Sequence, residues 1–250
     1  LERGNGNIGR LTTRQLSWVG AYGVSDRLNL IAMLPYVWTE ASQGVLHGMQ
    51  GLQDATLAAK YRLLTASIDG HGSLHAFAVA SFATPVSDYT PDYYPLSIGS
   101  HSRRASGRLT LFYRTRQGWY VEGTAAYTWR GDVTLDRPAY YTNGHLYLSD
   151  RVAMPDVIDY TFRVGYLRGP LQVPISFSQQ TTLGGGDIRR QDMPFVSNRM
   201  NASRLDGLLM YYLPAPKNLA LRLGASHTLD GRNVGRSTTL VAGLLYRLQF

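Results

Sequence analysis

The 250-residue chain has no cysteine, few charged residues and no long hydrophobic run. The lack of cysteine excludes disulfide bridges, thiolate metal sites and a cysteine nucleophile. Charged residues make up 17% of the chain, well below the roughly 25% of an average soluble protein. The longest nearly unbroken apolar stretch, residues 30–38, is far shorter than the roughly 20 residues that a membrane-spanning helix needs. The sequence therefore excludes a helical membrane protein and is unusual for a soluble one.

Arginine carries almost all of the positive charge. The formal net charge is +8, and Lys60 and Lys217 are the only lysines among 25 Lys and Arg residues. A basic balance raises nucleic acid as a partner, but the arginines are spread over strand-like segments, and no recognition helix, zinc finger or RNA-binding motif is present. We therefore expect no nucleic-acid partner, and arginines spaced in this way favour a polar protein interior.

Apolar residues alternate with small or polar ones over most of the chain, which predicts β-strands. The predicted strands are residues 11–24, 27–40, 51–65, 73–84, 103–117, 118–131, 156–169, 171–183, 198–213, 218–229 and 236–250. Tight turns are predicted at residues 25–26, 117–118, 169–170 and 215–218. Long loops are predicted at residues 41–50, 85–102, 132–155, 184–197 and 230–235. Tight turns at one end and long loops at the other are typical of an outer-membrane β-barrel.

The two faces of each predicted strand differ in chemistry. In residues 118–131, Trp119 and Trp129 share an apolar face, whereas Glu122 and Arg130 share the opposite one. The apolar face would suit lipid, with the tryptophans at the two membrane interfaces. A soluble β-sandwich or lipocalin-like barrel would turn its apolar face inward and carry many lysines outside. Two lysines in 250 residues argue against that alternative.

The end of the chain supports a barrel. It resembles the C-terminal signal by which bacterial outer-membrane barrels are recognised for insertion, through Gly243, Tyr246, Leu248 and Phe250. If tight turns face the periplasm, the last and the first predicted strands both descend, whereas barrels of this type have an even strand number. We therefore predict one further, ascending strand before Leu1. Residues 1–250 are then a single domain, an all-β, transmembrane, antiparallel up-and-down β-barrel of about 12 strands, 11 of them in this chain.

Two segments resemble a known family. GAYGVSDRLNLIAMLPY (residues 20–36) and GLQDATLAAKYR (residues 51–62) are similar to the outer-membrane barrel transporters of the MetA-pathway of phenol degradation, in which a YGxSDRL turn and a GLGD strand start recur. Gln53 stands where the family often has glycine. The resemblance is good across residues 18–64 and weaker across residues 76–110. It implies a channel-like outer-membrane barrel linked to uptake of aromatic or hydrophobic compounds.

The local motifs of enzymes are absent. The chain has no phosphate-binding loop, no His-Glu-x-x-His and no Gly-x-Ser-x-Gly. His71 and His75 are four residues apart, but they straddle a turn, where the metal-ligand spacing of a helix does not converge. Adjacent Ser and His residues at 101–102 and 226–227 point to opposite faces of a strand and cannot form a nucleophile–base pair. We expect no enzyme activity, no cofactor and no metal site.

Basic side chains dominate the predicted inner face. The basic set is Lys60, Arg62, Arg108, Arg114, Arg130, Arg163, Arg204, Arg222 and Arg247, and the acidic set is Asp54, Glu122, Asp159 and Asp206. A barrel of this size leaves a narrow lumen. One interpretation is a salt-bridged network that fills the lumen. The other is a positive constriction that favours small anionic solutes, including aromatic carboxylates, with Ile31, Met33 and Phe112 as apolar wall.

Residues 85–102 form a loop rich in tyrosine and proline, which would fold into the mouth of the barrel, bind a partner or shield its rim. We predict an outer-membrane channel or transporter for passive uptake of small hydrophobic, aromatic or anionic molecules. The alternative is a non-conducting barrel that serves as a structural or accessory subunit of an outer-membrane protein complex. The expected partners are outer-membrane lipid, the barrel assembly machinery during insertion, a small-molecule ligand and, for the alternative, other proteins of a complex.

Overall fold

The computed structural model describes residues 9–44, 47–93, 96–142, 144–188 and 196–248. Eleven long strands form one curled sheet: β1 Leu11–Gly23, β2 Leu28–Ala41, β4 Asp54–Ile68, β5 Gly72–Pro85, β6 Arg104–Thr115, β7 Trp119–Arg130, β12 Val157–Arg168, β13 Leu171–Thr182, β14 Asn201–Tyr212, β15 Leu219–Arg232 and β16 Thr238–Tyr246. Five strands are short: β3 Gln50–Leu52, β8 Val133–Thr134, β9 Tyr140–Thr142, β10 His145–Tyr147 and β11 Arg151–Val152. Within the described ranges, no helix is long and apolar enough to cross a membrane.

Each long strand pairs antiparallel with the next long strand along the chain. The predicted all-β class and the eleven-strand antiparallel meander are therefore confirmed. Because the direction reverses at each step, β1 and β16 run the same way, and the described residues of these two strands do not pair with each other. An ascending strand between them would be antiparallel to both, so the strand expected before Leu1 stays a prediction.

The faces of the sheet alternate as the sequence indicates. In β7, Trp119, Val121, Tyr127 and Trp129 are exposed, whereas the intervening Tyr120 is 3% exposed. The other long strands also carry exposed large apolar side chains at their outer positions. A continuous apolar surface of this kind is unusual on a soluble monomer and is typical of the lipid-facing wall of a membrane barrel.

A β-bulge in β4 interrupts strict alternation. The register with β5 shifts between Arg62 and Leu64, so that Leu63 and Leu64 are both exposed on the outside. A bulge adds one residue to one strand and re-aims the side chains beyond it. Arg62 therefore keeps the inward position that the sequence predicts, while the residues after it follow a shifted pattern.

The loop after β7 contains structure that the sequence pattern did not indicate. β8 pairs with β11, and β9 pairs with β10, within the predicted loop at residues 132–155. Val133, Val152 and Met154 from this region pack with Val196 from the loop after β13 into a small buried cluster. Two separate long loops are thereby joined at one end of the sheet, which we term the long-loop end.

Tyr120 lies across the backbone of β12 at Gly165. A Cβ atom at Gly165 would come within 2.6 Å of Cζ of the buried Tyr120 ring. Glycine is therefore required here by close packing, since any side chain at this position would overlap the ring.

We expect Gly165→Ala to destabilise the protein by about 1–3 kcal/mol, because Tyr120 would have to leave its buried position. The measurement is the urea midpoint of unfolding of the detergent-solubilised protein. Gly123→Ala is the matched control, because a Cβ atom there meets nothing within 4 Å. Equal midpoints for the two variants would contradict the expected clash.

Candidate functional site: a cationic cavity and the loop above it

A cavity of about 890 Å³ lies against the inner face of the sheet, between β1 and β14. Its charged lining residues are Lys60, Arg62, Arg108, Glu122, Asp159, Arg163 and Arg204. All seven belong to the predicted inward-facing set, and five of them are basic. The predicted apolar wall residues Ile31, Met33 and Phe112 line the same cavity.

Only part of the charge in this cavity is neutralised by close ion pairs. Arg163 Nη1 lies 2.7 Å from Glu122 Oε1, and the two residues are directly opposite in the pairing of β7 with β12. Among the described residues, Lys60, Arg62, Arg108 and Arg204 have no carboxylate within 4.0 Å. The cavity therefore keeps an excess of positive charge, which fits the constriction interpretation better than a fully paired network.

Aromatic rings stand beside these cations. Phe77, Phe112 and His75 all line the 890 Å³ cavity, and Lys60 Nζ lies 4.3 Å from the centroid of the Phe77 ring. Phe77 is not among the residues predicted from the sequence to line the lumen, and His75 was considered there only with His71 as a pair of metal ligands. The signal was present, because both share the inward face of β5 in the period-two pattern.

A second cavity of about 520 Å³ lies nearer the long-loop end. Its lining combines the basic Arg104 and Arg130 with apolar side chains of three loops, among them Ile98, Met154 and Val196. The two cavities adjoin, because both are lined by Thr128, Asp159 and Gln180. Together they follow the inner face from the long-loop end towards the tight turns.

The loop after β5 folds inward over this second cavity. Tyr89 and Ile98 pack against Val37 of β2, and Gln53 Nε2 donates a 2.6 Å hydrogen bond to the Ile98 carbonyl. The Thr39 hydroxyl donates to the Leu96 carbonyl. Three roles were considered for residues 85–102, and this packing matches the first of them, folding into the mouth of the barrel. Residues 94 and 95 of this loop lie outside the described residues.

A buried carboxylate anchors this loop. Asp54, 2% exposed, accepts a 2.5 Å hydrogen bond from the Tyr89 hydroxyl and a 2.6 Å hydrogen bond from Arg104 Nη2. The backbone N–H of His101 donates to the Tyr89 hydroxyl at 2.9 Å. Burial, together with the hydrogen bond to Asp54, raises the pKa of Tyr89, so the hydroxyl stays protonated and able to donate. Arg104 was not among the predicted residues, although it shares the inward face of Arg108.

The remaining predicted inward residues lie apart from the 890 Å³ cavity. Arg130 donates to the Pro155 carbonyl at the long-loop end, and Arg114 Nη2 donates to the Leu167 carbonyl at 2.8 Å, near the tight turns. Asp206 accepts a 3.3 Å hydrogen bond from Ser178.

The residues at the end of the chain are not part of either cavity. Arg222 is exposed and pairs with Gly243 across β15 and β16, and the Arg247 guanidinium lies 5.7 Å from the ring centroid of Tyr212. Tyr246 and Leu248 are exposed, and Phe250 lies outside the described residues. The insertion signal at these positions stays a prediction.

The described histidines His75 and His227 lie close to neighbouring hydroxyl groups. Among the described residues, no group of three His, Asp or Glu side chains is arranged to hold a metal ion. His75 Nδ1 lies 3.1 Å from the Thr65 hydroxyl and Nε2 lies 3.2 Å from the Ser73 hydroxyl. His227 Nδ1 lies 2.8 Å from the Thr238 hydroxyl.

An ionic clasp joins two long loops at the mouth. Asp187 accepts hydrogen bonds of 2.8 Å and 2.6 Å from Arg232 Nε and Nη2, and one of 2.9 Å from Asn233 Nδ2. These contacts, first that of Arg232, lower the pKa of Asp187 from 3.8 to about 2. The loop after β13 is thereby attached to the β15–β16 connection.

The fold is similar to that of two solved proteins, one described as an outer-membrane channel and the other as a porin. An outer-membrane channel from Pseudomonas putida F1 has a TM-score of 0.71 and 17% identity, with 94% of this chain and 83% of that chain covered. The NanC porin has a TM-score of 0.53 and 8% identity, with 94% of each chain covered. These likenesses show that the chain has the fold of outer-membrane channels.

The family is shown by the sequence as a whole. The family model "Putative MetA-pathway of phenol degradation" matches residues 11–243, so the chain belongs to this family. The resemblance found in residues 20–36 and 51–62 is confirmed and extends over most of the chain. No curated protein matches the chain.

We expect Tyr89→Phe to loosen the loop after β5, because Asp54 and the His101 N–H each lose a buried partner, at a cost of about 1–3 kcal/mol. The measurement is hydrogen exchange of residues 96–101, which should become faster. Tyr93→Phe is the control, because Tyr93 is 41% exposed. Unchanged exchange in Tyr89→Phe would mean that the Tyr89 hydroxyl does not hold the loop and that its contacts with Val37, Gln53 and Thr39 suffice.

We expect the Asp187 clasp to open only in strong acid. Because its pKa is lowered, its contribution is complete above the ordinary value of 3.8 and is lost as the pH falls through about 2. The ¹³C shift of the Asp187 carboxyl should therefore titrate near pH 2, and Arg232→Gln should move that midpoint towards 3.8. Arg236→Gln, in the same β15–β16 connection, should leave the Asp187 midpoint unchanged. An Asp187 midpoint near 3.8 in the unmodified protein would show that the clasp does not form in solution.

Proposed function

We propose that this protein is an outer-membrane channel for passive uptake of small anionic, aromatic or hydrophobic molecules. The observation that carries the proposal is the 890 Å³ cavity on the inner face, lined by five basic and two acidic side chains. Four of the basic residues lack a close carboxylate partner among the described residues. A lumen with unpaired positive charge attracts anions and repels cations.

The arrangement along the strands supports inward passage of anions. In the orientation usual for such barrels, tight turns face the periplasm and long loops face the exterior. Asp54 and its partner Arg104 then lie near the external mouth. Lys60 and Arg62 lie deeper along β4, three and four steps of the side-chain alternation after Asp54. A solute that passes the loop at the mouth meets unpaired cations next.

The family and the structural neighbours favour the same conclusion. The family description refers to phenol degradation, and the Pseudomonas putida neighbour is described as an outer-membrane channel. Passive conduction needs no catalytic group, so we propose a non-enzymatic protein located in the outer membrane. The aromatic rings beside Lys60 would accommodate an aromatic solute as well as an inorganic anion.

The test is single-channel recording of the purified full-length protein in planar bilayers, with the reversal potential measured in a salt gradient. We expect reproducible openings that prefer chloride over potassium, because the lumen charge is predominantly positive. Cation preference would contradict the proposal. Protein shown to be folded by its heat-dependent gel mobility but silent in bilayers would also contradict it.

Charge variants within the cavity should shift the selectivity in opposite directions. We expect Arg108→Gln to lower the chloride preference by about twofold or more, because the lumen loses a cation that has no carboxylate within 4.0 Å among the described residues. Glu122→Gln should raise the preference, because it frees the paired Arg163. Arg236→Gln is the control, since it removes the same charge from an exposed loop position. Equal shifts for Arg108→Gln and Arg236→Gln would show that the net charge of the whole protein, and not the charge inside the lumen, sets the selectivity.

One observation favours the second candidate, a non-conducting accessory barrel. The loop after β5 is packed into the mouth and is fixed to Val37, Asp54 and Gln53. If it blocks passage, folded protein would be silent in bilayers and would co-purify with other outer-membrane proteins. Tyr89→Phe tests whether this loop limits passage, because loosening it should increase the conductance if the loop narrows the mouth.

A further inference from the structure

Three rings form a continuous aromatic surface inside the lumen, which we term the aromatic ledge: His75, Phe77 and Phe112. The centroids of His75 and Phe77 are 6.1 Å apart with an interplanar angle of 19°, and those of His75 and Phe112 are also 6.1 Å apart. All three rings line the 890 Å³ cavity, and each is only partly buried. The rings therefore present surface to a solute in the lumen.

The ledge is extended on one side by Tyr120, whose ring centroid is 5.1 Å from that of Phe112. Tyr120 is 3% exposed and wedged against Gly165. Aromatic pairs at these separations are in the range of favourable contact. The contact with Tyr120 therefore helps to hold Phe112 in position.

Two cations lie at the ledge, one of them over the face of the Phe77 ring. Lys60 Nζ lies 4.3 Å from the Phe77 centroid, and Arg62 is directly opposite Phe77 in the pairing of β4 with β5. Neither cation has a carboxylate within 4.0 Å among the described residues. Glu122, opposite Phe112, already pairs with Arg163. Both cations therefore remain available to an anionic group on a ligand.

We propose that the aromatic ledge, with Lys60 and Arg62, is a binding site for a planar aromatic anion such as an arylcarboxylate. The ring of the ligand packs on Phe77 and Phe112, and its carboxylate accepts hydrogen bonds from Lys60 and Arg62. Both parts of the site, the rings and the cations, are needed to recognise this ligand. An aliphatic carboxylate lacks the ring contact, and a neutral aromatic molecule lacks the charge. The inference rests on the proposed function, since the ligand reaches the site through the channel.

The experiment measures how three probes of similar size reduce the chloride current: benzoate, cyclohexanecarboxylate and benzyl alcohol. We expect benzoate to reduce the current by half at a concentration about threefold to tenfold lower than cyclohexanecarboxylate does, because only the planar ring stacks on the ledge. Benzyl alcohol, which has the ring without the charge, should be weaker than both. Equal potency of benzoate and cyclohexanecarboxylate would overturn the assignment.

Variants locate the effect on the ledge. Phe77→Leu and Phe112→Leu keep an apolar side chain but remove the ring, so each should abolish the preference for benzoate over cyclohexanecarboxylate. Lys60→Gln should weaken both carboxylates together and leave benzyl alcohol unchanged. Phe162→Leu is the matched control, because Phe162 is 57% exposed on the outer face of β12. A benzoate preference that survives both ledge variants would place the site elsewhere.

Calorimetric titration of the detergent-solubilised protein with the same probes gives a readout that does not depend on conduction. If the barrel conducts anions without distinguishing the probes, the ledge assignment fails while the proposed channel stands. If folded protein is silent but binds benzoate in preference to cyclohexanecarboxylate, the channel fails while the ledge site stands. Absence of that binding preference in calorimetry would reject the site in either case.

Discussion

The arrangement of the molecule depends on one constraint, the hydrogen bonding of each long strand to its neighbours in a sheet whose outer face is apolar. In lipid, every backbone N–H and C=O must find a partner within the protein. Within the described residues, ten antiparallel pairings supply those partners for the eleven strands, apart from the outer edges of β1 and β16. Because side chains alternate along a strand, an apolar outer face sends every second residue inward. The polar and charged residues of the strands therefore collect around the lumen.

That constraint explains why charged residues are sparse and why those on the strands face inward. An inward charge is tolerated where it meets a partner, as Arg163 meets Glu122 and Arg104 meets Asp54, or where the lumen is open to water. Lys60 and Arg108 belong to the second kind, since they line a cavity instead of a packed core. The excess of positive charge in the lumen and the aromatic ledge are both consequences of the same alternation of side chains.

The contacts at the mouth of the sheet differ in kind from those in its wall of strands. There the loop after β5 is held by a buried carboxylate and by apolar packing on β2, and the loops after β7 and β13 share a small core of their own. These contacts join residues far apart in the sequence, so width at the mouth depends on loops while charge in the lumen depends on strands. In the proposed channel, selectivity and access are therefore set by separable parts of the chain.

The sequence by itself determined the strands, their antiparallel order and the face on which Lys60, Arg108, Glu122 and Arg163 lie, because period-two alternation and tight turns are local properties of a strand. It did not indicate the bulge after Arg62, the short hairpins after β7 or the anchoring of Tyr89 on Asp54. Arg104 and Phe77 shared the inward pattern, yet nothing local distinguished them from other inward residues. Only the tertiary structure decided which inward side chains meet, because those contacts depend on strand register, curvature and loop packing across 35 residues or more, as between Asp54 and Tyr89.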